Sequence, residues 1–142
     1  MERPDWAPEG IDIERPSAAR VYDYWLGGCH NFAVDRELGR EAIESMPDTV
    51  SGVQANRAFL HRAVLHLVHA GIRQFLDIGS GIPTLGNVHE VAQNAAPDAR
   101  VVYADIDPVA VAHSRAILAG NDLATVLEED LRLPRHILDS PE

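Results

Sequence analysis

The run Gln74-Phe75-Leu76-Asp77-Ile78-Gly79-Ser80-Gly81-Ile82-Pro83 limits the fold more than any other part of the chain. A short strand, expected to be buried and carrying Phe75, Leu76 and Ile78, meets a glycine turn, with a carboxylate just ahead of it. A helix-length segment follows, and a second strand, Arg100-Val101-Val102-Tyr103-Ala104, ends at Asp105. Strand, glycine turn, helix, strand and acid is the order of a nucleotide-binding α/β unit. Glycine lets backbone approach a ligand that a Cβ would push away. An acid at the tip of the second strand is placed to accept hydrogen bonds from ribose hydroxyls.

The same residues discriminate among nucleotides. Dinucleotide sites use G-x-G-x-x-G, whereas Gly79 and Gly81 are followed by Thr84 at the third glycine position. Pro83 falls where a helix N-terminus would offer an N–H to a pyrophosphate, and proline has none. Asp77 would repel a diphosphate but suits a ligand carrying an ammonium group. S-adenosylmethionine (SAM) has an ammonium, a sulfonium and a ribose, and no phosphate, so it is preferred over NAD. The competing expectation is a plain turn with a solvated Asp77. Asp105 argues against it by falling in the corresponding place at the next strand end.

Periodicity arranges the rest. Residues 1–14 form a loose arm rich in proline and charge. Helices are predicted at residues 18–26, 33–45 and 53–69, the first ended by Gly27-Gly28 and the third by Gly71. On the first, Val21, Tyr24 and Trp25 share a face, while Arg20 and Asp23 lie on others. On the third, Ala58, Leu60, Val64, Leu65 and Val68 form an apolar stripe. Strands at residues 73–78, 100–105 and 124–127 then alternate with helices at 85–95 and 108–119, the latter capped by Asp107-Pro108. The predicted fold is α/β: a Rossmann-like sheet of three parallel strands behind an N-terminal helical cap. The arm and cap take residues 1–70 and the cofactor-binding part residues 71–142. Ligands of such sheets bind beyond the carboxyl ends of the strands. Asp77, Asp105 and Asp130 arrive at that one rim.

Composition removes other classes. With 22 acids against 12 basic residues and a net charge of −10, a broad nucleic-acid footprint is not expected. All basic residues are arginine, so a Walker-type phosphate loop and Schiff-base chemistry are excluded from this chain. No apolar run approaches a membrane span, and the N-terminus lacks the apolar segment of a signal peptide. A single cysteine, Cys29, fits a reducing cytoplasm.

The motif at residues 75–81, Asp105-Ile106-Asp107-Pro108 and Glu129-Asp130-Leu131 together resemble class I SAM-dependent methyltransferases. Three segments narrow this to a bacterial SAM-methyltransferase family formerly grouped as a domain of unknown function. They are Ala19-Arg20-Val21-Tyr22-Asp23-Tyr24-Trp25-Leu26-Gly27-Gly28 with Asn31-Phe32, then Asn56-Arg57, then the run from Gly71 to Gly81. The resemblance implies that Asp77, Gly79, Ser80 and Gly81 hold the methionine end of SAM, Asp105 the ribose, and Ile106 the adenine face. Asp130 and the Leu131 backbone would meet the adenine edge. It makes Arg20, Tyr22, Tyr24 and Asn31 substrate or lid candidates. The implied activity is methyl transfer to an unknown, small-molecule acceptor, with no catalytic base identified. A non-catalytic binding module and, less favoured, a nicotinamide oxidoreductase are the alternatives.

The resemblance covers only the N-terminal half of that family, whose sheet has seven strands. The strand at 73–78 is therefore expected to have an open edge, belonging to a fragment of a longer product or covered by a complementing chain or a second copy. Of the remaining residues, His61, His66 and His69 are expected at a surface without metal, and His89 and His113 are expected to be solvated. Trp6 and Trp25 are expected in the core, Cys29 as an ordinary thiol, and Glu128 and Glu129 in solvent.

Overall fold

Side-chain alternation along three short strands decides which face of the sheet is buried. The computed structural model describes Pro4 and residues 7–83 and 86–141, so the expectations resting on Trp6 and Thr84 lie outside the described residues. Three helices come first: α1 (Ala18–Trp25), α2 (Ala33–Ser45) and α3 (Thr49–His69). Then follow β1 (Gln74–Ile78), α4 (Val88–Ala95), β2 (Arg100–Asp105), α5 (Pro108–Ile117), β3 (Ala124–Glu128) and α6 (Pro134–Leu138). The strands pair in parallel in the order β1-β2-β3, the incomplete Rossmann-like sheet behind N-terminal helices that the sequence predicts.

Phe75 lies level with Val101 and Ala124, and Asp77 with Tyr103 and Val126, so these six share one face. That face carries the main core. Val101, Tyr103 and Val126 pack with Val64 and Val68 of α3, Val91 and Ala92 of α4, and Val111 of α5. On the opposite face Val102, Ala104 and Leu127 are covered by Ile137 of the short α6. Leu76 and Ile78 on that face stay 44% and 47% exposed, so β1 is not the buried strand expected: α6 packs on β2 and β3.

The cap is fixed by a buried charge pair. Arg20 Nε donates to Asp35 Oδ2 at 2.8 Å, and neither side chain is exposed. The remaining Arg20 donors reach the carbonyls of Asp12 and Arg15, and the guanidinium lies over the Phe32 ring. Asp35 also accepts from the backbone N–H groups of Ser17 and Phe32, so one carboxylate joins the start of α1 to the start of α2. A buried ion pair persists only when its remaining donors and acceptors are satisfied, as they are here.

Several expectations are corrected. Arg20 and Asp23, on other faces of α1 than its apolar one, are nevertheless buried. The arm is anchored from Ala7 onward, because Ala7 and Ile11 pack on Phe32. His113 is buried beneath the cap, and His89 is buried with its ring on the Tyr103 hydroxyl. Helix α3 starts at Thr49 rather than at residue 53, since the Thr49 and Ser51 hydroxyls bond the carbonyls of Met46 and Asp48 and hold a first turn through Gly52. Helix α4 starts at Val88 rather than at residue 85, where Asn87 and Glu90 form a capping box. Pro83 therefore lies in the loop ahead of that helix and not at its N-terminus. Helix α6 is an element that the periodicity missed.

Candidate functional site

The rim of the sheet is stitched together by its own backbone. Past Ile78 the chain turns at Gly79 and Gly81, with φ of 72° and 63°, values that L side chains rarely adopt. A Cβ at either position would meet nothing within 4 Å, so the demand for glycine comes from backbone conformation, and the space beside the turn is open. Gly79 N donates to the carbonyl of Ala104 at 2.7 Å, and Gly81 N donates to Asp105 Oδ2 at 2.8 Å. The other Asp105 oxygen accepts from Asp107 N at 2.9 Å. Asp107 in turn caps α5 through Val109 N and accepts from Ser17 Oγ of the cap.

Above this rim is a cavity of about 490 Å³, within the range of small-molecule sites. Its floor is Asp77, residues 79–82, Asp105 and Asp107; its walls are Ala18, Ala19 and Tyr22 of α1 and Asn56, Arg57, Phe59 and Leu60 of α3. Asn56 donates to the Tyr22 hydroxyl at 3.1 Å, and the Arg57 guanidinium lies 6.0 Å from the Tyr22 ring centroid. Burial raises the Asp77 carboxyl above its ordinary range; Arg57 works against that shift and Asp105 adds to it. One cavity thus joins acids to a single arginine. That arrangement suits a ligand with both an ammonium and a carboxylate, plus hydroxyls for the acids.

Of the predicted site residues, Asp77, Gly79, Ser80, Gly81, Asp105 and Tyr22 come together on this cavity. Ile106 is exposed next to Asp105 and is not among its lining residues. Asp130 and Leu131 also lie outside the lining. The Arg132 side chain folds onto the Asp130 carboxylate, Nε to Oδ2 at 2.8 Å, and those hydrogen bonds hold Asp130 below its ordinary range. Arg20 is committed to Asp35. Asn31 is buried, its amide NH2 donating to Asp23 and the Gly28 carbonyl and its amide oxygen accepting from Arg36. Tyr24 packs against α2 at Gly39, where a Cβ would stand 2.6 Å from its ring. Arg57, Asn56 and Asp107 line the cavity without being site candidates from sequence, where Asn56-Arg57 is only a segment of the family resemblance and Asp107 only the cap of α5.

Among the described residues, no three His, Cys, Asp or Glu side chains gather as a metal site, and no helix is long and apolar enough to cross a membrane.

The family model described as S-adenosyl methyltransferase (Methyltransf_19) matches residues 4–142. A crystal structure of a candidate methyltransferase from Thermobifida fusca YX is similar, with a TM-score of 0.87 and 48% identity over 97% of this chain and 52% of that one. A DUF574 family protein from Streptomyces avermitilis MA-4680 gives a TM-score of 0.82 and 45% identity over 92% of this chain and 51% of that one. The chain spans about half the length of these two solved structures. A search of curated proteins finds no match.

Proposed function

The chain belongs to the S-adenosyl methyltransferase family, and from that premise we propose that its rim cavity holds SAM and directs methyl transfer to a small-molecule acceptor. Family membership decides between SAM and a dinucleotide in favour of SAM. The carrying observation is the meeting of Asp77 and Arg57 on one cavity beside an open glycine turn. Asp77 takes the cofactor's ammonium, and its raised carboxyl is drawn back into the charged form by that cation. Arg57 takes the α-carboxylate as a charge-assisted partner. Asp105, already fixed by two backbone N–H groups, has acceptor capacity left for ribose hydroxyls. Ile106, Asp130 and Leu131 serve the adenine end, and Tyr22 closes the cavity over the cofactor.

When bound, SAM supplies an electrophilic sulfonium methyl. The protein's part in an in-line displacement is to orient and desolvate the reacting atoms rather than to bond to them. Net charge −10 favours a small acceptor over a nucleic acid. The single cysteine supports a place in the cytoplasm. Purely parallel sheets are normally covered on both faces. We therefore further propose that a complementing polypeptide segment pairs with the open edge of β1 and covers Leu76 and Ile78.

Calorimetric titration of the 142-residue chain with SAM, S-adenosylhomocysteine and NAD tests the cofactor assignment. The first two should bind and NAD should not. Asp77→Ala should weaken SAM roughly tenfold or more, the scale of one charged hydrogen bond. An unchanged SAM affinity in that variant would sink the assigned role of the turn. Binding without turnover on any acceptor would favour a binding module.

A further inference from the structure

A second cavity, of about 520 Å³, shares Arg57 with the cofactor cavity. Its wall is the next strip of α3, carrying Ala58, His61 and Arg62, closed by Leu26 at the end of α1 and by Gly86 ahead of α4. Residues 58, 61 and 62 fall on one side of a helix by its 3.6-residue period. No Asp or Glu lines this cavity among the described residues, although acids outnumber arginines 22 to 12 in the chain. Arg62 and His61 are exposed and make no ion pair among the described residues. With Arg57 held beside Asp77 for the cofactor's carboxylate, the surface still offers Arg62 and His61 and no carboxylate in its own lining, a local reversal of the field in so acidic a protein. Such reversals concentrate anions. Leu26, Ala58 and the arginine stems add apolar contact for the body of a ligand.

Position adds to charge. Arg57 is common to both cavities, and we have assigned it to the amino-acid end of SAM, the end that carries the sulfonium. A group seated on Arg62 therefore lies next to the reacting end of the cofactor and not next to its adenine. We infer that this second cavity is the acceptor subsite and that it takes a small organic anion, a carboxylate or phosphate on an apolar body. The inference deepens the function proposed above and rests on it. Arg62 and His61 are positioning residues in this scheme: they bind the anionic end of the acceptor and leave its nucleophilic atom free to face the cofactor.

The experiment uses the full 142-residue chain, titrated with benzoate, phenyl phosphate and neutral benzamide, each with and without S-adenosylhomocysteine. One or both anions should bind roughly tenfold tighter than benzamide, as expected for a charge-assisted contact. Arg62→Gln should remove most of that preference while S-adenosylhomocysteine affinity stays the same, and His61→Gln should reduce it. Equal binding of anions and benzamide, or a preference that survives Arg62→Gln, overturns the subsite. S-adenosylhomocysteine binding with no anion binding overturns it too, and leaves the cofactor assignment standing. Anion binding that depends on Arg62 in a chain that does not bind S-adenosylhomocysteine overturns the acceptor role and the cofactor assignment together.

Discussion

His113 is only 1% exposed, and burial, with His30 and Arg20 nearby, pushes its pKa down to about 4; Asp35 partly opposes this. Its ring meets the His30 ring edge-on at 5.9 Å. The folded protein therefore holds His113 neutral over a range where the unfolded chain, near pH 6.5, takes up a proton. The stability this provides is complete above pH 6.5 and is lost as pH falls toward about 4. The melting temperature at pH 5 should be roughly 5 °C lower than at pH 7. In His113→Gln that difference should shrink by more than half. An equal drop in the variant, read by circular dichroism, would show that other groups control the acid limb. This could not be read from sequence, because a histidine on a helix beside the sheet looks solvated until the cap is known to lie over it. Asp77 and Asp105 were legible for the opposite reason: strand ends and the glycine turn fix their place locally. Arg20 and Asn31 were misplaced because their partners, Asp35 and Asp23, are set by how α1 and α2 meet.

The loop from α1 to α2 shows how closely one element is shaped around a single carboxylate. The chain wraps Asp23, whose Oδ2 accepts from His30 N at 2.8 Å and Asn31 Nδ2 at 2.7 Å. A Cβ on Gly28 would stand 1.9 Å from Asp23 Oδ1. Gly28→Ala should thus destabilise by roughly 2 kcal/mol or more, the scale of losing a buried charged hydrogen bond. Gly52, near the start of α3, has no neighbour within 4 Å, and Gly52→Ala should be neutral or stabilising by up to about 1 kcal/mol. Urea melts of the two variants check the pair; similar losses for both would show that the Asp23 contact relaxes freely. Gly28 reads in sequence only as a helix stop. Its steric role needs Asp23 folded back beneath it, a contact between residues that helical periodicity places apart. The capping box at Asn87 is different, since N-x-x-E stands in the sequence itself and marks the start of α4.

At the scale of the whole molecule the sheet is covered unequally. Three helices bury one face, while α6 covers only part of the other. The strand order and the open edge of β1 were legible, because consecutive parallel strands joined by helices leave few arrangements. How little covers Leu76 was not, since an apolar strand looks the same in sequence whether one face or both are packed. Open edges beside apolar surface recruit other chains. Light scattering should show the chain alone forming larger species as concentration rises, and Leu76→Lys should keep it monomeric. A wild-type chain that stays monomeric throughout would show that this face is tolerated in water. The clasp of Asp105 on Gly81 and Asp107 acts on another axis, time. A turn already held by its own carboxylate has no folding step to wait for when a ligand arrives. Capture at that end of the cavity is then governed by encounter frequency, and discrimination between ligands falls to how long each one stays.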